Sequence, residues 1–175
     1  MDINTIEPKI YVACLAAYNN GILHGAWVNV EYYDQVQDEI NKILESSPIP
    51  NAEEWAIHDY EDFGGYEVRE YDDIEHLCEL SELLQEHGEI VGALLSHFCG
   101  NIDECKEAIE NNYAGHYDSE QDFAQELFDE IYLHEVPESI RYYIDYEAFC
   151  RDLFIGDYFS LHVRGESGVH VFSAQ

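Results

Sequence analysis

The stretch from Asp72 to Glu89, DDIEHLCELSELLQEHGE, carries two periodic patterns at once. Its apolar residues recur at helical spacing and form one face; they are Ile74, Leu77, Leu80 and Leu84. Its acidic residues step by three or four positions and form a second stripe; they are Asp72, Glu75, Glu79, Glu82 and Glu86. Gly88 stands where a glycine commonly ends a helix. The stretch therefore predicts an amphipathic helix with a carboxylate-lined outer side.

The acidic stripe has no compensating bases. Like charges four residues apart destabilise a helix by roughly 0.2–0.5 kcal/mol per pair, and a solvated helix usually interleaves Lys to offset this. Residues 70–100 contain neither Lys nor Arg. This absence suggests that the negative field is itself selected.

The whole chain shares this charge. It has 175 residues, with 38 Asp and Glu against 7 Lys and Arg, which gives a net charge of −31. Each third of the chain is strongly negative. Such a protein does not bind nucleic acid directly and is repelled by anionic membranes. A hydrophobic content of 46% argues against disorder. No membrane span or signal peptide is evident, so we expect a cytoplasmic protein.

Periodicity and turn residues predict an α+β fold. Strands at 9–15, 26–30 and 54–60, with a helix at 34–46, make a ββαβ N-terminal unit. The helix of the Asp72–Glu89 stretch is followed by helices at 89–98 and 101–110, and the three make a helical middle. The C-terminal unit has helices from Ser119 to about 133 and from Asp145 to about 154, the first with Phe123, Leu127 and Ile131 on its inner face. Strands at 158–164 and 169–172 form a hairpin. Most Trp and Tyr side chains are expected in the core or as half-buried strand residues.

These elements suggest three small domains in a row: 1–70, 71–111 and 112–175, the last a dimerisation domain. Crowding about 31 charges onto a compact sphere costs on the order of tens of kcal/mol, even with screening. We therefore expect an elongated molecule.

Catalytic and metal sites have weak support. Because the chain has 9 His and 38 acids, chance pairs of such residues are abundant. His58-Asp59 is a candidate base and orienting group, but neighbours on a strand point to opposite faces. The set of His97, Cys99 and Cys105 matches no common zinc spacing and lacks a fourth ligand. No nucleotide-binding, hydrolase or EF-hand motif occurs. We expect no enzyme, cofactor or metal.

The physical hypothesis is DNA mimicry. Duplex DNA carries one charge per ~1.7 Å, so 31 charges correspond to about 53 Å, or roughly 15 base pairs. Carboxylates accept bidentate Arg as phosphates do. The alternative is an acidic protein-interaction module or chaperone for another basic DNA-binding protein. A halophile's solvated acidic surface also remains open.

Several patches, in order along the chain, resemble the ArdA antirestriction proteins. They are Ile10-Tyr11-Val12-Ala13, Tyr18-Asn19-x-Gly21-x-Leu23, Gly25-Ala26-Trp27, Glu53 to Glu61 (EEWAIHDYE), Leu94 to Phe98 (LLSHF), Glu135-Val136-Pro137, Tyr143 to Tyr146 (YIDY) and Arg151-Asp152-Leu153. The patches run from about residue 10 to 153.

The resemblance implies an elongated three-domain protein, encoded on mobile genetic elements, that forms a homodimer through its C-terminal domain. It implies that the protein occupies the DNA groove of type I restriction–modification enzymes, formed by the methyltransferase core with its specificity subunit. Restriction, and often modification, is then inhibited. We expect a distributed carboxylate surface with no single essential acid. Its members are Asp59, Glu61, Asp62, Glu70, Asp72, Glu75, Glu79, Glu82, Glu86, Glu89, Glu104, Glu107, Glu110, Glu120, Glu126, Asp129 and Glu130.

Overall fold

A computed structural model describes residues 6–174. The chain divides into two compact units between Ile102 and Asp103. Each unit contains a three-stranded antiparallel sheet with helices, which confirms the predicted α+β class. The division into three domains stays a prediction.

The sheet of the first unit has the strand order β2-β1-β3. Its strands are β1 (Lys9–Cys14), β2 (Gly25–Asn29) and β3 (Trp55–Glu61). The three predicted strands are therefore confirmed. A short helix, α1 (Leu15–Asn19), lies between β1 and β2 and was not predicted. The unit therefore begins βαβαβ rather than ββαβ.

Three longer helices complete this unit: α2 (Tyr33–Glu45), α3 (Ile74–His87) and α4 (Glu89–His97). α2 buries Val36, Ile40 and Ile43 and packs against β1 and β2. α3 buries the predicted apolar face, and the buried Ser81 hydroxyl donates a hydrogen bond to the carbonyl of Val30. Gly88 adopts φ of 67° after the last residue of α3, as predicted. The acidic stripe thus belongs to a helix that is anchored on its opposite side.

Helix α4 approaches the loop after β3 closely where Gly92 meets Gly64. A Cβ atom on Gly92 would lie 2.7 Å from the carbonyl oxygen of Gly64. Because real Cβ contacts are essentially never this short, only glycine fits at position 92 with the backbone placed as it is.

The second unit mixes short helices with its sheet. Its elements are α5 (Ile102–Glu107), which begins at the boundary, a π-helical turn (Ala108–Asn112), β4 (Tyr113–Tyr117), α6 (Glu120–Ile131), two 3-10 turns (Leu133–Glu135 and Glu138–Tyr143), α7 (Tyr146–Gly156), β5 (Tyr158–Leu161) and β6 (Val169–Ser173). The sheet order is β4-β6-β5. The β5–β6 hairpin was predicted, whereas β4 was not.

The core of the second unit lies between this sheet and helices α6 and α7. Phe123, Leu153 and Val171 are buried there. Ser119 and Asp145 cap the two helices through bonds from the backbone N–H groups of Asp122 and Ala148, as predicted. Ile131, predicted on the inner face of α6, is 44% exposed because it lies at the last turn of the helix.

Candidate functional site: the acidic surface

Most of the predicted acids lie in contact with solvent. Fourteen of the 17 are exposed, and Asp72, Glu79 and Asp129 are half-buried. Residues 1–102 contain 21 acids and 3 bases, and residues 103–175 contain 17 acids and 4 bases. Each unit therefore presents its own strongly negative surface.

The clearest group is the α3 stripe, which we define as Glu75, Glu79, Glu82 and Glu86. All four lie on one regular helix, and three are exposed. At 1.5 Å per residue, the stripe extends about 16 Å along the helix axis. The helix backbone fixes the spacing of the charges, so the field they create is largely preorganised.

Asp72 was predicted to continue this stripe but lies in the loop before α3. The side chain of Asp73 caps the helix by accepting from the N–H of Glu75 at 2.8 Å. The carboxylate of Asp72 accepts from the N–H of Arg69 at 2.8 Å and from the hydroxyl of Tyr66 at 3.2 Å. Burial and this carboxylate raise the pKa of Tyr66. Asp72 therefore holds a loop together.

A second group of acids surrounds the end of β3. Tyr11 of β1 faces Asp59, whereas Val12 faces Ile57, so His58 is the extra residue of a β-bulge. His58 and Asp59 are both exposed.

The acids near β3 differ in whether a basic side chain lies beside them. The ammonium of Lys9 lies 2.8 Å from the carboxylate of Glu61. This hydrogen bond and ion pair raise the pKa of Lys9. His58 lies 4.0 Å from the carboxylate of Glu70. The carboxylate of Asp59 accepts a hydrogen bond from the neighbouring N–H of Tyr60 at 2.8 Å.

Hydrogen bonds orient several acids of the second unit. The carboxylate of Glu120 accepts from the hydroxyl of Ser160 at 2.6 Å. Asp129 accepts from the hydroxyl of Tyr146, and this bond raises the pKa of Tyr146. The pKa of Tyr117 is raised by burial and by Glu126. The partners of these carboxylates are neutral hydroxyl groups rather than cations.

A groove of about 550 Å³ in the first unit combines acids with aromatic rings. The residues that line it are Leu15, Tyr33, Gln37, Glu53, Glu54, Trp55, Tyr71, Asp72, Asp73 and Ile74. Tyr71 is 70% exposed. Carboxylates beside aromatic faces suit a guanidinium group. Four acids line this groove: Glu53, Glu54, Asp72 and Asp73. The acidic periodicity in the sequence included only Asp72 of these four.

The candidate zinc set is not assembled. Cys105 is buried whereas Cys99 is exposed. Within residues 6–174, the group of His, Cys, Asp and Glu side chains close enough to share a metal ion is instead His116, Glu166 and His170.

Comparison of the sequence with known protein families shows which family the chain belongs to. A family model described as antirestriction protein (ArdA) matches residues 10–166. The chain belongs to the ArdA family of antirestriction proteins. The match covers most of the chain and confirms the resemblance carried by its sequence patches. No curated protein matches the chain. None of the helices described in residues 6–174 combines the length and the apolar composition needed to cross a membrane.

The sequence did not predict how many aromatic and aliphatic side chains this ArdA protein exposes. Trp27, expected in the core or half-buried on a strand, is 43% exposed. In the second unit, large exposed apolar residues are Tyr113, Ile131, Tyr132, Ile140, Tyr142, Tyr143 and Ile155. Tyr142 and Tyr143 are 93% and 80% exposed. Tyrosine carries both an apolar ring and a polar hydroxyl, so its sequence pattern does not separate core from surface.

Proposed function

We propose that this protein inhibits type I restriction–modification enzymes by occupying their DNA-binding groove as a mimic of duplex DNA. The partner surface is formed by the methyltransferase core with its specificity subunit. The protein acts by binding and performs no catalysis. Family membership supports the antirestriction role, and the exposed acidic surface supports the mechanism.

The α3 stripe is the observation that carries the proposal. Glu75 and Glu79, and Glu82 and Glu86, are like-charge pairs four residues apart on an anchored helix. A groove that binds DNA offers Arg and Lys at phosphate positions. Fixed carboxylates can take bidentate Arg in the same way as phosphate oxygens. The groove lined by Glu54, Asp73 and Tyr71 offers an additional site for an arginine side chain.

A chaperone for another basic DNA-binding protein is the competing function. It would also use acidic surface, but it would bind partners according to their charge rather than their DNA groove. Competition with duplex DNA for a type I methyltransferase therefore separates the two.

The decisive experiment is a competition titration. The purified type I methyltransferase is loaded with a fluorescent duplex containing its recognition sequence, and the wild-type protein is added at several salt concentrations. We expect full displacement of the duplex and a steep loss of affinity as salt rises. Binding without displacement would favour the chaperone function.

Matched variants test whether the positions of the charges matter. One variant neutralises the α3 stripe: Glu75→Gln, Glu79→Gln, Glu82→Gln and Glu86→Gln. The control removes four exposed acids at and before α2: Glu31→Gln, Asp34→Asn, Asp38→Asn and Glu45→Gln.

Partly solvated charges contribute about 0.2–1 kcal/mol each. A single change should therefore raise Kd by about fivefold at most, and the stripe variant by roughly 4-fold to 1000-fold. The control should lose much less. Equal losses in both variants would show that net charge alone governs binding, and loss of all inhibition from one substitution would contradict the distributed surface.

The proposed dimer is supported by the apolar surface of the second unit. Tyr142 and Tyr143 are both exposed, and their ring centroids lie 5.8 Å apart. Large exposed apolar patches mark interaction sites. We expect sedimentation to give a dimer for the wild type. A variant with Tyr142→Ser and Tyr143→Ser should shift the equilibrium toward monomer if these side chains, 93% and 80% exposed in one chain, are covered by a second copy.

A further inference from the structure

Two histidines of the second unit face each other across its sheet. His116 of β4 is the direct register partner of His170 of β6, so both imidazoles lie on the same face of the sheet. Their ring centroids are 4.5 Å apart and their planes differ by 21°. His170 is 8% exposed, and His116 is exposed.

A carboxylate approaches the same place from the loop between β5 and β6. Glu166 lies four residues before His170, and its carboxylate oxygen is 2.9 Å from the Nε2 atom of His170. Gly165 and Gly168, with φ of 84° and 82°, shape the turn. One ligand atom from each of His116, Glu166 and His170 lies within 4.8 Å of the other two.

Both imidazoles are oriented by further hydrogen bonds. The Nε2 atom of His116 lies 2.6 Å from the carbonyl oxygen of Ser167. Because a carbonyl only accepts, this nitrogen carries the proton, and the neutral ring keeps its lone pair on Nδ1. The Nδ1 atom of His170 lies 2.9 Å from the hydroxyl of Tyr113. Metal-binding histidines are commonly held by such a bond through their other nitrogen.

We propose that His116, His170 and Glu166 form a Zn²⁺ site. Two imidazoles and one carboxylate are a common zinc donor set, and a water molecule can supply the fourth ligand. Ca²⁺ and Mg²⁺ prefer sites built from oxygen alone. With bonds of about 2.0–2.1 Å, tetrahedral ligand atoms lie about 3.3 Å apart. Small side-chain rotations of the exposed His116 and Glu166 provide the required contraction.

The ion would cross-link parts of the second unit. The site joins β4 to the β5–β6 loop and to β6. His116 and Glu166 are about 50 residues apart along the chain. The net negative charge of the second unit attracts a cation to it. Zn²⁺ binding does not depend on the proposed contact with a restriction enzyme. Each proposal can therefore be contradicted without affecting the other.

The test is a Zn²⁺ titration of the full chain after chelator treatment and dialysis, with a chromophoric chelator as competitor. We expect one Zn²⁺ per chain and a rise in thermal stability on binding. His116→Gln and Glu166→Gln should each weaken Zn²⁺ affinity by at least about tenfold. His134→Gln is the matched control, because His134 is an exposed histidine of the same unit that also lies beside a carboxylate, Glu135, at 3.8 Å.

Replacing the metal with Co²⁺ provides a second measurement. A four-coordinate site gives intense visible absorption, which should appear in the wild type and in the His134→Gln variant and be absent from His116→Gln. Weak binding of many ions, or binding unchanged in both His116→Gln and Glu166→Gln, would mean that the acidic surface collects the ions and would overturn the proposal. Glu166 is exposed, so its variant remains informative even if a histidine variant fails to fold.

Discussion

At the residue scale, Gly92 shows how little room separates α4 from the loop after β3. We expect Gly92→Ala to lower the free energy of unfolding by about 1–3 kcal/mol, because the new methyl group would displace the carbonyl of Gly64. Gly156→Ala is the control, since a Cβ atom there meets nothing within 4 Å. Urea unfolding followed by circular dichroism measures both. A Gly92→Ala protein as stable as wild type would show that α4 is not seated against Gly64.

The cysteines differ in burial and in thiol pKa, so we expect them to differ in their rate of alkylation. Burial, with a contribution from Glu104, raises the pKa of Cys105 to about 12, and burial with Glu75 raises that of Cys78 to about 11. At about pH 8, only roughly one Cys105 thiol in 10,000 is then a reactive thiolate. Cys99 is exposed.

We therefore expect iodoacetamide to modify Cys99 in the native protein, whereas Cys78 and Cys105 react only after unfolding or at strongly alkaline pH. Peptide mass mapping identifies the modified residues. Cys99→Ser should remove the rapid reaction. Rapid native labelling of Cys105 would contradict its burial.

At the element scale, the α3 stripe should oppose stability. Glu79→Gln together with Glu86→Gln removes both like-charge pairs four residues apart. We expect a gain of about 0.4–1 kcal/mol in the free energy of unfolding, together with weaker inhibition of restriction. Glu31→Gln with Glu45→Gln removes the same charge without relieving those pairs and serves as control. A loss of stability in the stripe variant would mean that these acids support the fold.

Local signals in the sequence identified some elements and missed others for identifiable reasons. The caps Ser119 and Asp145 and the terminating Gly88 act within one helical turn, so they can be read directly. β4 has the sequence YAGHY, with a glycine and little alternation, and becomes a strand only by pairing with β6, which lies about 50 residues further along. The five residues of α1 are too few to show a helical period.

The candidate acidic surface was predictable for the same reason. A charge on a helix repeats with the helix, so the α3 stripe follows from spacing alone. The roles of Asp72 and of the Lys9–Glu61 pair depend on which loop or strand lies alongside, and spacing does not contain that information.

At the scale of the whole molecule, self-repulsion should make stability depend strongly on salt. Screening shortens from about 10 Å at ~0.1 M to about 3 Å at ~1 M ionic strength, so repulsion among the net 31 negative charges is relieved. We expect Tm to rise by at least about 5 °C over this range. Sodium chloride and tetramethylammonium chloride should act alike in differential scanning calorimetry. An effect of sodium alone would indicate specific ion binding instead.

The position of the two tryptophans gives the first unit an optical signal of its own. Trp27 lies on β2 and Trp55 at the start of β3, and the 73 residues after Ile102 contain no Trp. Indole fluorescence excited at the red edge therefore follows only the first unit as the chain is denatured. Far-ultraviolet circular dichroism follows both. Coincident curves would establish that the chain unfolds cooperatively, and separated curves would give each half its own stability without any cut in the polypeptide.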